Sequence, residues 1–369
     1  MYTEEQIRQA LSHVDDPDLK RDLVSLRMIE DIHIEENKVS FKVVLTTPAC
    51  PLKSQIQQNC IQAIHQYVDP GLEVIAEMTA RVTSVRQKAG EALTGVKNII
   101  AVSSGKGGVG KSTLAANLAV ALARSGARTG LLDADIYGPS QPMMFGISGE
   151  RPGVIRKENK ELVEPILRYG VKVLSIGFFV DPHKALVWRG PMASNALTQL
   201  FTEAEWGELD YMVIDMPPGT GDIHLTLVQQ LPVTGVVIIT TPQEVALADA
   251  RKALDMYTQD KINVPVLGIV ENMSYFTPSE LPANKYYIFG KEGGRRFAAE
   301  HKVGLLGEIP LVQSICESGD KGNPIALDPD SLEGKAFATM AANVARAVAI
   351  RNSHLPPTRI VEINPDTLR

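Results

Sequence analysis

Short apolar runs and helix-like stretches alternate along most of this chain. The apolar runs lie at 98–104, 129–135, 211–215, 236–242, 264–272 and 306–310. Stretches with apolar residues at intervals of three and four lie between these runs, at 112–124, 243–257 and 293–300. Continuous apolar runs are typical of strands buried on both faces, whereas the intervals predict amphipathic helices. The alternation therefore predicts an α/β fold with a mostly parallel sheet and helices on both of its faces.

The chain begins with a different pattern. Thr3 precedes an apolar stripe at helical spacing, and Gln6 completes the sequence pattern of a capping box. Alternating residues around a turn at 36–37 predict two strands, 51–67 predicts a helix, and 72–82 predicts a last strand. We predict a small α+β domain over 1–85, a linker over 86–95, a second domain over 96–350 and a tail over 351–369.

Composition limits the classes of protein to which this chain can belong. Its 369 residues suit two domains, 44% of them are hydrophobic, 22% are charged, and the net charge is −6. The negative charge gives no electrostatic basis for nucleic-acid binding, and no apolar run approaches the roughly 20 residues that span a bilayer. Three cysteines are too few for a disulfide framework, and the acidic N-terminus lacks a signal-peptide core. We expect a cytoplasmic protein that binds neither nucleic acid nor membrane.

A glycine-rich loop separates the first predicted strand of the α/β region from its first helix. Its sequence is Gly105-Lys106-Gly107-Gly108-Val109-Gly110-Lys111-Ser112-Thr113. This sequence matches the phosphate-binding pattern G-x-x-x-x-G-K-[ST]. Glycines allow the backbone to turn its N–H groups towards phosphate, and the helix that follows presents its N-terminus. We predict that residues 105–113 bind a nucleoside triphosphate, that Lys111 neutralises its β- and γ-phosphates, and that the Ser112 hydroxyl binds Mg²⁺.

The loop carries a second lysine directly after its first glycine. Lys106 and Lys111 repel each other unless an anion lies between them. Lys106 is therefore expected to contact phosphate, either in its own subunit or in a second one. The alternative is a solvated surface lysine.

Carboxylates follow the next predicted strands. Asp133 and Asp135 end the run at 129–135, and Asp215 ends the run at 211–215. Ligands bind at the C-terminal ends of the strands in open α/β sheets, so we expect Asp215 to bind the Mg²⁺ shell and Asp135 to orient the attacking water. Asp133 either holds Mg²⁺ or its waters, or caps the next turn. The loop after Asp215 contains both prolines and glycines, which suits a switch that senses the γ-phosphate.

Two later strand ends are candidates for the base pocket. Asn272 closes the run at 264–272, and its amide offers both a donor and an acceptor to an adenine edge. Pro310 ends the run at 306–310 and is expected to line the same pocket.

The cysteines have different expected roles. Cys50 lies where a predicted strand ends and a predicted helix begins, and a helix N-terminus favours the thiolate that binds metal. Its alternative role is a small apolar residue at a turn. Cys60 lies roughly 15 Å farther along the same predicted helix, too far to share one ion with Cys50. We expect Cys60 and Cys316 to be structural.

Several longer strings resemble the Mrp/ApbC family of P-loop ATPases, which are iron–sulfur cluster carriers. The strings lie at 96–111, 132–140, 188–192, 214–222 and 271–274. The most specific are Asp-Ile-Tyr-Gly-Pro-Ser at 135–140 and Met-Pro-Pro-Gly-Thr-Gly-Asp at 216–222. The N-terminal region resembles the small iron–sulfur assembly domain often fused to this family, through Asp-Pro-Asp at 16–18 and Thr-Pro-Ala-Cys-Pro at 47–51.

The resemblance implies an ATP-hydrolysing homodimer that receives clusters from a scaffold and hands them to apoproteins. It implies that Lys106 reaches across the dimer to the nucleotide of the other subunit, that Lys111 and Asp135 act in hydrolysis, and that turnover is slow. The family's usual cluster ligands are a Cys-x-x-Cys pair shortly after Glu-Asn-Met-Ser, whereas residues 275–289 contain no cysteine. Clusters need thiolates, so Cys50 or a partner protein would supply them.

In an alternative function, the protein hydrolyses ATP but binds no iron–sulfur cluster. The chain would then be a metal-free, ATP-driven dimer switch, similar to the regulators of cell division and DNA partition. Residues 351–369 contain several prolines and form no amphipathic membrane helix, and no basic arm for DNA is evident.

Overall fold

The structure is a computed structural model that describes residues 2–86, 93–157, 160–180, 190–278, 280–281 and 283–361. Its contacts divide the chain into two compact units, one of residues 1–83 with 349–355 and one of 84–348 with 356–369. The last helix continues to His354, so the boundary predicted at residue 351 falls inside a helix. Residues 87–92 of the predicted linker and 362–369 of the predicted tail lie outside the described residues.

The first unit contains a three-stranded sheet covered by two helices. Its elements are α1 (Glu4–Leu11), β1 (Asp15–Asp16), β2 (Arg21–Asp22), β3 (Ile29–Glu35), β4 (Lys38–Leu45), α2 (Lys53–Tyr67) and β5 (Glu73–Ala80). The sheet order is β3-β4-β5, in which β3 and β4 are antiparallel and β4 and β5 are parallel. The capping box is confirmed, since the Gln6 N–H donates to the Thr3 hydroxyl at 3.3 Å and the Thr3 N–H donates to the Gln6 amide oxygen at 2.9 Å.

The core of the first unit lies between this sheet and its helices. Ile7 and Leu11 of α1, Phe41 of β4 and Ile64 of α2 are buried there. The parallel pairing of β4 with β5 requires a crossover, and α2 supplies it. The small α+β fold predicted from the sequence is therefore confirmed.

The second unit contains the longer alternation of strands and helices. Its first elements are β6 (Val96–Ser104), α3 (Lys111–Arg124), β7 (Thr129–Asp133), α4 (Gln141–Met144), β8 (Gly153–Lys157), β9 (Lys160–Glu164), β10 (Ile166–Arg168) and β11 (Val171–Ser175). They are followed by α5 (Gly190–Thr202), β12 (Leu209–Asp215), α6 (Asp222–Gln230), β13 (Gly235–Thr240), α7 (Glu244–Thr258), β14 (Val266–Glu271), α8 (Gly293–Glu300), β15 (Leu305–Glu308), α9 (Gln313–Asp320) and α10 (Leu332–His354).

An eight-stranded sheet in the order β10-β11-β7-β12-β6-β13-β14-β15 forms the centre of this unit. Every neighbouring pair is parallel except β10 with β11. The mostly parallel sheet is thus confirmed, and the predicted strands and helices have ends within two residues of those observed. Because β7 and β13 lie on opposite sides of β6, the glycine loop after β6 lies where ligands bind in open sheets.

Strand β11 belongs to this sheet although its sequence did not identify it. Lys172 interrupts the apolar run of Val171–Ser175. In the fold its ammonium donates to the Trp206 carbonyl at 2.8 Å, while the strand pairs with β7. The charge of Lys172 is tolerated inside this short strand because the Trp206 carbonyl, distant in sequence, accepts a hydrogen bond from its ammonium. The local sequence of the strand does not reveal that partner.

None of the helices in the described ranges combines the length and the apolar character needed to cross a membrane.

Candidate nucleotide site

The glycine loop after β6 uses its glycines for two different reasons. Gly108 and Gly110 have φ angles of 80° and 84°, in the left-handed region that favours glycine. Gly105 is required for packing, because a Cβ atom there would overlap the backbone carbonyl of Asp249 in α7. A Cβ atom at Gly107 would meet open space. Conformational freedom therefore matters at Gly108 and Gly110, and the close approach of α7 matters at Gly105.

Lys111 lies at the first position of α3 and is only 6% exposed. Its ammonium donates to Asp215 Oδ1 at 2.5 Å and to the Ser112 hydroxyl at 3.3 Å. It also lies 3.9 Å from Asp135 Oδ2. The fold thus brings together Lys111 and Ser112, which are expected to bind triphosphate and Mg²⁺, with two carboxylates: Asp215, expected to bind the Mg²⁺ shell, and Asp135, expected to orient the attacking water.

Asp215 ends β12 and is completely buried. Its second oxygen, Oδ2, accepts a hydrogen bond from the Gln141 amide at 2.7 Å. The same amide donates to the Ser112 carbonyl at 3.1 Å. Sequence reasoning missed Gln141, and the only signal was its position directly after the Asp-Ile-Tyr-Gly-Pro-Ser string.

Asp133 ends β7, and protein donors contact both of its oxygens. Oδ1 accepts from the Asp135 N–H at 3.2 Å, and Oδ2 accepts from the Ser175 hydroxyl at 2.9 Å and the Gln141 N–H at 3.2 Å. Burial, together with the nearby Asp215 carboxylate, raises the pKa of Asp133 above its usual range. These contacts favour the alternative that Asp133 holds the turn, and its role as a Mg²⁺ ligand stays a prediction.

Asp135 borders a cleft of about 540 Å³. The cleft is lined by Asp135, Tyr137, Gly138, Pro217, Pro218, Gly221, Ile223 and His224. Burial raises the pKa of Asp135, while the Lys111 ammonium opposes that shift. A carboxylate beside Lys111 and open to a cleft is suitably placed to accept a hydrogen bond from water.

His224 in α6 is a second group that the sequence did not reveal. Its side chain is 1% exposed, and burial lowers its pKa to about 4. The imidazole is therefore neutral at neutral pH. It lines the cleft beside the loop after Asp215, where the Gly219 N–H donates to the Ser104 carbonyl at 2.9 Å. The candidate switch loop is thus bonded to the strand that precedes the glycine loop.

Asn272 follows β14 and contacts the glycine loop from the side. Its amide donates to the Val109 carbonyl at 2.8 Å, and the side chain is 7% exposed. Asn272 therefore supports the loop, and its contact with adenine stays a prediction. Pro310 is buried two residues after β15.

Lys106 is half-buried within the loop, and its carbonyl accepts from the Ser104 hydroxyl at 2.9 Å. Its ammonium forms no salt bridge with any carboxylate in the described part of the chain. Among the described residues, Lys111 therefore pairs with aspartates of the same chain, whereas Lys106 does not.

The three cysteines are thiols in different environments. Cys50 is half-buried and lies three residues before α2, which begins later than predicted. Cys60 is buried in the core, and burial raises its pKa to about 12, which confirms its structural role. The structural role expected for Cys316 is wrong, because this residue is exposed on α9, a helix with no buried residue.

A metal site formed by one chain would need several ligands close together. In the described ranges no group of three or more His, Cys, Asp or Glu side chains is arranged to hold a metal ion. The thiols of one chain therefore do not form a complete cluster site within these ranges.

Comparisons with known proteins agree with this geometry. A family model described as NUBPL iron-transfer P-loop NTPase matches residues 95–345, and one described as iron–sulfur cluster assembly protein matches residues 4–75. The chain is 47% identical over 354 residues to the iron–sulfur cluster carrier protein of a Synechocystis strain, covering 95% of this chain and 99% of that protein. It is also 47% identical over 351 residues to the protein of the same name from Deinococcus radiodurans, covering 94% and 97%.

A solved structure is also similar to a large part of this chain. The nucleotide-binding protein of Archaeoglobus fulgidus in complex with ADP is 38% identical, with a TM-score of 0.56. The match covers 65% of this chain and 95% of that protein.

Proposed function

Because the chain belongs to the NUBPL iron-transfer P-loop NTPase family, we propose that it is a homodimeric ATPase that carries iron–sulfur clusters to apoproteins. The observation that supports this most strongly is the convergence of Lys111, Asp135 and Asp215 beside the glycine loop. The small N-terminal unit, which matches an iron–sulfur cluster assembly family, adds a second domain of the same function class. We place the protein in the cytoplasm.

The residues present suit Mg²⁺ with a triphosphate. Ser112 and Asp215 offer a hydroxyl and a carboxylate on adjacent elements, and the amide oxygen of Gln141 is buried without a donor among the described residues. Magnesium prefers oxygen ligands, keeps several of its waters, and neutralises phosphate charge when it is bound. Ser112 and Asp215 would hold the ion.

Hydrolysis then depends on the position of a few side chains. Lys111 moves its ammonium from Asp215 to the β- and γ-phosphates, and Lys106 of the partner subunit adds a second positive charge. Asp135 accepts a hydrogen bond from water, which attacks the γ-phosphorus while the bond to the β-phosphate oxygen breaks. Loss of the γ-phosphate releases the loop after Asp215, so nucleotide state controls the dimer. We expect slow turnover.

The cluster is the cargo of this cycle. Residues 275–289 contain no cysteine, so thiolates must come from elsewhere. Cys50 is the candidate ligand because it is half-buried in the unit that matches the assembly family. The protein that gives or takes the cluster supplies the remaining thiolates.

Two variants test the ATPase. Lys111→Ala and Asp135→Ala should abolish phosphate release, whereas Lys321→Ala, which removes an exposed lysine directly after α9, should leave it unchanged. Intact turnover in either of the first two variants would contradict the enzymatic part of the proposal.

Anaerobic reconstitution tests whether the protein binds and transfers an iron–sulfur cluster. The protein should gain visible absorbance, iron and sulfide, alone or when mixed with an apo form of a [4Fe–4S] enzyme whose activity reports cluster gain. Cys50→Ser should lower the iron content, and Cys60→Ala should not, since that thiol is buried in the core. A colourless protein under both conditions, with ATP turnover intact, would support the metal-free dimer switch instead.

A further inference from the structure

Gln141 links the three elements that build the nucleotide site. It begins α4 and is completely buried. Its side-chain amide donates to Asp215 Oδ2 at 2.7 Å and to the Ser112 carbonyl at 3.1 Å. Its backbone N–H donates to Asp133 Oδ2 at 3.2 Å. One residue therefore connects the first turn of α3 with the ends of β7 and β12.

These contacts determine which way the Gln141 amide is oriented. A carboxylate oxygen and a backbone carbonyl can only accept hydrogen bonds, so the NH₂ group must face Asp215 and Ser112. The amide oxygen, Oε1, is then buried without a donor in the described part of the chain. Buried acceptors usually have a partner, either in the protein or in an ordered water. Water that accompanies Mg²⁺ into the site would provide that donor.

Asp215 is held from two sides that respond differently to nucleotide. Oδ1 accepts from Lys111 at 2.5 Å, and Oδ2 accepts from Gln141 at 2.7 Å. Phosphate competes for the Lys111 ammonium, because both phosphate and carboxylate are anions. Gln141 is neutral and has no such competitor, so Oδ2 keeps its partner when Oδ1 changes its own.

We propose that Gln141 is the positioning residue of the magnesium site. It holds the Asp215 carboxylate so that one oxygen is available to the ion, and it accepts a hydrogen bond from a magnesium-bound water. This inference rests on the proposed ATPase function. Gln141 acts through Asp215 and not on the reacting phosphate, so its loss should weaken the affinity for the metal ion and leave metal-free nucleotide binding intact.

The test compares three variants of the full chain. Gln141→Leu keeps most of the side-chain volume and removes every side-chain hydrogen bond. Gln141→Asn keeps the amide but is one methylene shorter, so it cannot reach both acceptors. Met143→Leu is the matched control, because Met143 lies in the same short helix and is 49% exposed.

Two measurements separate positioning from a structural role. Binding of a fluorescent ADP analogue is measured in EDTA, and Mn²⁺ binding to the ADP complex is measured by electron paramagnetic resonance. Loss of a residue that hydrogen-bonds to a metal ligand typically weakens metal affinity about 10- to 100-fold. Gln141→Leu should therefore lower the affinity for Mn²⁺ by at least roughly tenfold, the lower end of that range. The affinity for ADP in EDTA should change by less than about twofold in this variant. The Mn²⁺ affinity of Gln141→Asn should lie between those of Gln141→Leu and the wild type, and Met143→Leu should have the affinity of the wild type.

The Mn²⁺ and ADP affinities of Gln141→Leu decide whether Gln141 positions the metal site. An unchanged Mn²⁺ affinity in this variant overturns the inference. Equal losses of Mn²⁺ and of ADP in EDTA also overturn it, because they indicate a structural role. If Gln141→Leu fails to fold, Gln141→Asn decides between the same outcomes. A wild-type protein that binds no ADP under either condition contradicts the proposed function itself.

Discussion

The ammonium of Lys111 lies 2.5 Å from Asp215 Oδ1, and the two side chains are 6% and 0% exposed. Both charges have been removed from water at the place where triphosphate is expected to bind. Each charge is tolerated because the other is present, since a single unpaired charge in such a place is strongly destabilising. The phosphate-binding lysine is therefore also a structural residue in this conformation.

Lys111→Ala should reduce stability as well as nucleotide binding. Removing one partner of a buried ion pair typically destabilises by roughly 3–5 kcal/mol, and Asp215 would be the charge left behind. Lys106→Ala is the matched control from the same loop, and its free energy of unfolding should change by less than about 0.5 kcal/mol. Urea unfolding without nucleotide measures both variants. Equal free energies of unfolding for Lys111→Ala and Lys106→Ala would show that the Lys111–Asp215 contact contributes little to stability.

The glycines of the loop should differ in their tolerance of alanine. Gly105→Ala places a methyl group against the Asp249 carbonyl and should destabilise by roughly 1–3 kcal/mol, as overpacking does. Gly107→Ala points into open space and should leave the melting temperature close to that of the wild type. Thermal denaturation of the two variants tests this difference. A larger loss in Gly107→Ala would contradict the packing of α7 on the loop.

His224 should make stability fall in mild acid. Burial lowers its pKa from 6.5 to about 4, so between these values the unfolded chain binds a proton that the folded chain does not. The stability from neutral His224 is complete above pH 6.5 and is lost as the pH falls towards 4, by roughly 3 kcal/mol in total.

A comparison of variants isolates this pH effect. His224→Gln should show a shallower decline of urea midpoint between pH 6.5 and pH 4 than the wild type. His33→Gln, which removes an exposed histidine of β3, should keep the wild-type decline. Parallel curves for the wild type and His224→Gln would exclude His224 as the source.

The thiols should react with iodoacetamide in a fixed order. Cys316 is exposed and should react first, half-buried Cys50 second, and Cys60 only on unfolding, because it is buried and its pKa is raised to about 12. Peptide mass spectrometry after timed alkylation at neutral pH measures the three rates. Early modification of Cys60 would show that the core of the first unit opens readily.

Much of the second unit could be predicted because its signals are local. The glycine loop, the apolar strands and the helices between them each depend on neighbouring residues, and the observed ends lie within two residues of the prediction. Residues 105–113 therefore indicate a triphosphate loop from their sequence alone. The same local rules also placed Asp135 and Asp215 at strand ends that face one ligand site.

Only the tertiary structure decided which of those residues contact one another. The pairing of Lys111 with Asp215 joins positions 104 residues apart, and the contact of Gln141 with Asp215 joins positions 74 apart. The burial of His224 and the exposure of Cys316 likewise depend on which elements pack together. Sequence determined the elements and the loop because backbone preferences and side-chain periodicity are local. The partners of each buried charge were decided only when folding brought distant strands side by side and removed water from between them.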